Sequence, residues 1–430
     1  MSLISITPRP FFDTLEHTCA LYKQCQIENK ERIIRDWLKS CLAKDTLTLP
    51  PYAVTEYGYV LNFLYEYRGS TETFNAYRRE IDRLMLWCWF VQEKSLLVLK
   101  RLDIEAFIEF CQKPPKKWIS LKKVSRFITI EGYRVPNLEW RPFTVMISKK
   151  AFQDGERPTK DSFELSQQAI KQIFAILGSF YNALIQEEIT EVNPVVQIRQ
   201  KSKFIQKQLN ARIIRRLSDQ QWHTVLASAM KLSEENPDKH KRTFFMIQLL
   251  YGLYLRISEL AASKRWSPKM SDFFRDSNDD WWFKTVGKGN KMRHIAVSND
   301  VLEAFKRYRE YLGYSSLPAP DDQQPLIPKE KGKGAMESIR VIRQLVQICF
   351  DAAVEELRVK NEHEEAEILR SATVHWLRHT GISDDVKHRP REHVRDDAGH
   401  SSSAITDRYI DIELKERANS ARDKTLSKVI

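Results

Sequence analysis

Residues 199–216 divide this chain. The stretch carries Arg199, Lys201, Lys203, Lys207, Arg212, Arg215 and Arg216 with no acidic residue among them. A run of one sign repels itself and resists burial, so it separates two bodies and does not cross a core. It reads as a solvated linker, or as a strap tracking phosphates if the flanking units also face a polyanion. The 430 residues suit two or three domains. The formal net charge of +12 favours a polyanionic partner only weakly.

Before the divide, helical spacing dominates. Residues 1–51 read as an amino-terminal helical extension (Thr14–Cys25, then Asn29–Leu42) stopped by Leu49-Pro50-Pro51. From Tyr52 to Cys111 the apolar residues again recur at helical spacing, and Ser70-x-x-Thr73 opens a helix carrying Phe74, Tyr77, Ile81, Leu84 and Trp87. Residues 112–160 break the pattern with Pro114-Pro115, Lys116, Lys117, Lys122, Lys123 and Asp154-Gly155, which reads as an insertion or extended hairpin. A helix is expected over Ser162–Gln186, and Asn193-Pro194 ends the unit. Beyond Leu217, helices are expected at Ser218–Leu232, Lys241–Leu253, Asp300–Leu312 and Ser338–Arg358. The runs Trp281–Val286 and Met292–Val297 flank Gly287-Lys288-Gly289-Asn290, a β-hairpin signal. The expected fold class is mainly α with a small β-hairpin or sheet.

No stretch approaches 18 uninterrupted apolar residues, and the amino terminus lacks a secretory pattern, so no membrane association is expected. Six scattered cysteines without a C-x-x-C pair suggest free thiols in a reducing, cytoplasmic setting.

Five of the ten histidines lie between His375 and His400. His375 and His379 share a helix face, as metal ligands do, but Trp376 stands where the glutamate of H-E-x-x-H belongs. Neither a metal nor another cofactor is expected. His375 and Arg378 share a face at i, i+3, followed by Gly399-His400 and, nine residues on, Tyr409. Arg256 sits in apolar surroundings within Leu253–Leu260, where a buried guanidinium needs an anion, either Glu259 or a ligand. Two arginines and a histidine can stabilise charge on a phosphorane-like transition state. A tyrosine can attack phosphorus once a base takes its proton, and a lysine can protonate the leaving oxygen. Gly287-Lys288-Gly289 lacks the spacing of a nucleotide-binding loop. Asp279-Asp280 and Asp396-Asp397 read as turn and helix-end residues.

These residues give the carboxyl half its resemblance to the tyrosine recombinases, also called the phage-integrase family. Four boxes match in order: Tyr254-Leu255-Arg256-Ile257-Ser258-Glu259-Leu260, Gly287–Lys291, His375-x-x-Arg378-His379-Thr380, and Gly399-His400-Ser401 through Tyr409. The resemblance implies a site-specific DNA recombinase that cuts and rejoins strands through a 3′-phosphotyrosyl intermediate, for integration, excision or transposition of a mobile element. It implies phosphate clamps at Arg256 and Arg378, a general acid at Lys288 and an acid/base at His375. It also implies a phosphate donor at His400 and the nucleophile at Tyr409.

Residues 52–198 look like a core-binding, SAM-like DNA-binding domain containing the 112–160 insertion. They are joined by the 199–216 linker to a catalytic domain at 217–430, the whole forming a two-lobed DNA clamp. The implied partners are double-stranded DNA and three further copies in a tetramer on two DNA sites, in a bacterial nucleoid. The tail Ile410–Ile430 would dock on a neighbouring protomer or remain solvated.

Three features depart from the family pattern. Tyr254 stands at a glycine position, Ala398 at a leucine position, and Gly381–Lys387 is polar where the family has an apolar helix. The same groups would also serve a type IB topoisomerase-like relaxing activity, and a catalytically idle architectural protein would keep the clamp alone.

Overall fold

The computed structural model describes residues 6–42, 47–196, 198, 204, 215–287, 289–400, 402, 406 and 421–422. It separates into two compact units, Met1–Asn210 and Ala211–Ile430.

In the first unit, α1 (Leu15–Ile27), α2 (Lys30–Leu42), α3 (Ala53–Glu66), α4 (Thr71–Trp87) and α5 (Arg101–Gln112) precede a stretch of short strands. These are β1 (Ile119–Ser120), β2 (Phe127–Ile130), β3 (Tyr133–Pro136) and β4 (Phe143–Thr144), followed by α6 (Lys149–Gln153) and α7 (Gln167–Gln186). β2 and β3 form a hairpin whose two-residue turn, Glu131-Gly132, has positive φ at both positions, the backbone that matches strand twist. α4 starts where the Ser70 hydroxyl accepts the Thr73 N–H.

The helix expected from Ser162 begins only at Gln167. Lys160–Ser162 is a 3-10 turn, and Ser166 is the residue whose side chain accepts from the backbone N–H of Ala169.

The amino-terminal extension and the 112–160 segment pack together. Phe11 and Phe12 are fully buried, each contributing roughly 1.5–3 kcal/mol, and Phe12 stacks on Tyr57 at 4.4 Å. Arg134 donates to the buried carboxylate of Asp13 at 2.6 Å. Arg126 pairs with the buried Asp82 and donates to the Phe12 carbonyl at 3.0 Å.

The second unit runs α8 (Asp219–Glu235), α9 (Pro237–Gly252), α10 (Ile257–Leu260), β5 (Phe273–Arg275), β6 (Trp281–Val286) and β7 (Met292–Ala296). It continues through α11 (Asn299–Tyr311), α12 (Ile339–Val359), α13 (His363–Arg370), α14 (Val374–Asp385) and α15 (Arg391–Ala398). Serines 218, 298 and 338 cap α8, α11 and α12 through side-chain bonds. Phe245, Leu249, Ile342, Val346 and Phe350 fill one hydrophobic core.

The hairpin β6–β7 gains a third antiparallel strand, β5, too short to show in the sequence. Alternation turns Phe283 and Ile295 inward, and Phe273 stacks on Phe305 of α11 at 4.0 Å, which ties the sheet to the helices. The architecture is mostly helical, as the patterning predicts. Among the described residues no helix is long and apolar enough to cross a membrane.

Candidate active site

Arg256 occupies the residue before α10, where the chain leaves α9 through Leu253, Tyr254 and Leu255. Glu259, three residues on, turns back and accepts the Arg256 backbone N–H at 2.8 Å, a capping arrangement that fixes the turn. The same carboxylate accepts from Arg256 Nη1 at 3.0 Å. It is bridged by Arg293 of β7 through Nη1 at 2.8 Å and Nη2 at 2.9 Å. Glu259 is 1% exposed, so burial alone would raise its pKa; the two guanidiniums outweigh that and hold it below the usual carboxylate value. The alternative of a structural ion pair for Arg256 is therefore realised, yet 28% of its side chain stays exposed and can reach a ligand.

Gly287, at the end of β6, is required here. A Cβ at that position would lie 2.8 Å from Arg293 Nη1 and 3.1 Å from Glu259 Oε1.

Arg378 lies on α14 and is 2% exposed. Its Nη1 donates to the Tyr254 carbonyl and its Nη2 to the Ala398 carbonyl at 2.6 Å, so the turn after α9 and the end of α15 fix the plane of the guanidinium. Nη2 also meets His400 Nε2 at 3.3 Å. Because that nitrogen faces a donor, it accepts, and the proton resides on Nδ1, which donates to Thr406 Oγ1 at 2.9 Å. Burial, then the guanidiniums of Arg378, Arg256 and Arg293, push the His400 pKa down to about 3. Gly399 takes the left-handed conformation (φ 64°) that ends α15 and turns His400 toward Arg378.

His375 presents its ring at the surface of α14, edge-on to His379 with centroids 4.3 Å apart. The surrounding protein, then Arg378 and Arg256, lower its pKa, so it is a neutral base at neutral pH. His379 is pushed down to about 4, first by burial.

The structure thus brings Arg256, His375, Arg378 and His400 into one field. Lys288 and Tyr409 lie outside the described residues, as do Arg199, Lys201, Lys203, Lys207 and Arg212 of the basic run. Arg215 is exposed, and Arg216 faces Asp384 at 3.7 Å.

Sequence reasoning passed over Arg293, Asp397 and Thr406. Arg293 and Ile295 are two apart on β7, and a charged residue on the inward side of a strand asks for a buried carboxylate; that signal was present. Of the acidic pairs, Asp279 sits in a turn at φ 71° and Asp397 in the last turn of α15, where it is buried and accepts from Arg389 at 2.6 Å.

Residues 215–416 match the model of the phage integrase family. The tyrosine recombinase XerC of Leptospira interrogans is 22% identical over 317 residues, covering 73% of this chain and 82% of that protein. A tyrosine recombinase of Pseudothermotoga lettingae is 25% identical, covering 60% of this chain and 76% of its own length. Among solved structures, the post-cleavage complex of XerH site-specific recombinase with palindromic difH substrate aligns at a TM-score of 0.53 and 14% identity, covering 96% of this chain and 99% of that one. At that identity the likeness is one of fold.

Proposed function

We propose that the chain, whose residues 215–416 match the phage integrase family model, is a tyrosine-type site-specific DNA strand transferase, and that Arg256, Lys288, His375, Arg378, His400 and Tyr409 carry its chemistry. The Tyr409 phenol attacks a backbone phosphorus in line with the 5′-oxygen. Its proton passes to His375, the phosphorus–O5′ bond breaks, and Lys288 protonates the departing oxygen. The 3′-phosphotyrosyl bond stores the ester energy until a 5′-hydroxyl from another strand attacks it and releases the tyrosine.

Arg256 and Arg378 bind the nonbridging oxygens, where charge grows in the transition state. His400 joins them by taking a proton at Nε2 as the phosphate docks. The observation that carries this reading is the convergence of both guanidiniums and both imidazoles within one electrostatic field, with Arg378 already oriented by two backbone carbonyls. Preorganised donors of this kind cost little reorganisation during reaction.

In the same reading, residues 52–198 with their insertion grip double-stranded DNA, and the basic run 199–216 follows its backbone. Four copies assemble on two sites in the cytoplasm, and the product is integration, excision or transposition of a mobile element.

The test uses DNA selected by the purified full chain and carrying a nick that traps the intermediate. Wild type should give a denaturant-resistant protein–DNA adduct. Tyr409→Phe should bind equally and give none. An adduct with Tyr409→Phe refutes the nucleophile, and no adduct with wild type refutes the reaction.

A further inference from the structure

The three departures from the family pattern meet at one place. Tyr254 stands at a glycine position and has φ 49°, the left-handed region where glycine is favoured and a side chain is strained. Its carbonyl is the one that accepts from Arg378 Nη1. Its ring forms a small separate core with Ile382, Val394 and Ala398. Ala398, at the leucine position, supplies the other carbonyl holding Arg378. Gly381 belongs to the polar segment; a Cβ there would lie 2.2 Å from the Tyr251 carbonyl oxygen and 3.2 Å from the Tyr254 ring.

The Tyr254 hydroxyl continues the connection. It donates to the Asp385 carboxylate at the end of α14 and accepts from Arg389 Nη1 at 2.8 Å. Arg389 also donates to Asp385 at 3.2 Å and to Asp397 of α15 at 2.6 Å. Asp397 Oδ1 accepts the Ala296 N–H of β7 at 3.3 Å. Tyr254, Asp385, Arg389, Asp397 and Ala296 therefore join the four segments that supply the proposed site: the Arg256 turn, the helix of His375 and Arg378, the helix before His400, and the hairpin of Lys288.

We propose that Tyr254 is a positioning residue: its ring and hydroxyl take over the space of a glycine–leucine pair and set the spacing of the Tyr254 and Ala398 carbonyls that orient Arg378. The side chain touches no reacting atom and acts through Arg378 and His400. The strain at Tyr254 persists because the ring and hydroxyl are anchored on every side. The proposal rests on the reading of Arg378 as a phosphate clamp.

The experiment measures single-turnover adduct formation on the nicked DNA at saturating concentration, DNA affinity and the melting midpoint of the full chain. Tyr254→Phe keeps the ring and removes the hydroxyl. It should cut the adduct rate at least fivefold with affinity unchanged within twofold. Tyr254→Gly should lose more, and Tyr254→Gly with Ala398→Leu should recover at least half of that loss on a logarithmic scale. A merely structural role would lower the midpoint but leave the rate well below melting unchanged. A wild-type rate in Tyr254→Phe, or no recovery in the double variant, overturns the proposal. Arg378→Ala separates the two levels: a wild-type rate there removes the clamp reading and this proposal with it, whereas an inactive Arg378→Ala beside a fully active Tyr254→Phe removes this proposal alone.

Discussion

Glu259→Gln should disable the second unit more than its near-identical shape suggests. Oε1 accepts from Arg256 Nη1 and Arg293 Nη1, and Oε2 from the Arg256 N–H and Arg293 Nη2. Whichever oxygen becomes the amide nitrogen, two accepted bonds are replaced by donor facing donor, and one of them comes from Arg293. Breaking a buried ion pair costs about 3–5 kcal/mol. Arg256 at 28% and Arg293 at 10% exposure can regain some hydration, which puts the loss near the lower end, about 3 kcal/mol. For a unit of this size that is a fall of roughly 6–12 °C in melting midpoint. Glu259 has a depressed pKa, so its stabilisation is present above the ordinary carboxylate value and fades as pH falls through the folded value. Scanning calorimetry of both proteins should therefore show a wide gap at neutral pH that narrows below pH ~4. A gap under about 2 °C at neutral pH, or one undiminished in acid, would refute the reasoning.

Lys288→Ala should slow cleavage of an ordinary phosphodiester by about 10²–10³-fold, yet largely spare DNA with a 5′-bridging sulfur, whose leaving group needs no proton. Equal losses on both substrates would exclude the general-acid role. His379, pushed down to about 4, stays neutral in the fold while the unfolded chain binds a proton below its ordinary value of 6.5. Stability should therefore fall as pH drops from 6.5 toward 4, and His379→Gln should remove about 1–2 kcal/mol of that fall after allowing for partial solvent screening. Identical pH–stability slopes for variant and wild type would argue that another group titrates.

The legible part of this chain is the part where chemistry or local geometry dictates residue type. Arg256, His375, Arg378 and His400 each sit in a short box whose residue types the proposed reaction would require, and the serine caps mark helix starts by a bond only three residues long. Illegible parts depend on partners far away in sequence. Arg134 and Asp13 are 121 residues apart, so nothing local announced that the amino-terminal extension and the 112–160 segment stabilise each other. Arg293 reaches Glu259 across 34 residues from a strand that reads as half-exposed. Tyr254 hides its left-handed backbone because the usual glycine signal is missing; the compensation lies in Gly381, Asp385 and Ala398, well over a hundred residues downstream.

The charges of the site explain why it should favour a phosphodiester over a neutral ligand. Arg256, Arg293 and Arg378 contribute three positive charges and Glu259 one negative, a balance of +2 on side chains that are largely withdrawn from water. Burial first, and then the neighbouring positive charges, lower the pKa values of His375, His379 and His400 and keep them neutral. A phosphate monoanion reverses the repulsion locally, so its docking raises the proton affinity of the same imidazoles. In the proposed reading, Nε2 of His400, an acceptor from Arg378 in the folded protein, would then become a donor toward the phosphate. His400 Nδ1 is already committed to Thr406 Oγ1 at 2.9 Å, which leaves Nε2 as the nitrogen turned toward Arg378. Thr406 is buried, so the bond that sets the His400 tautomer is shielded from water.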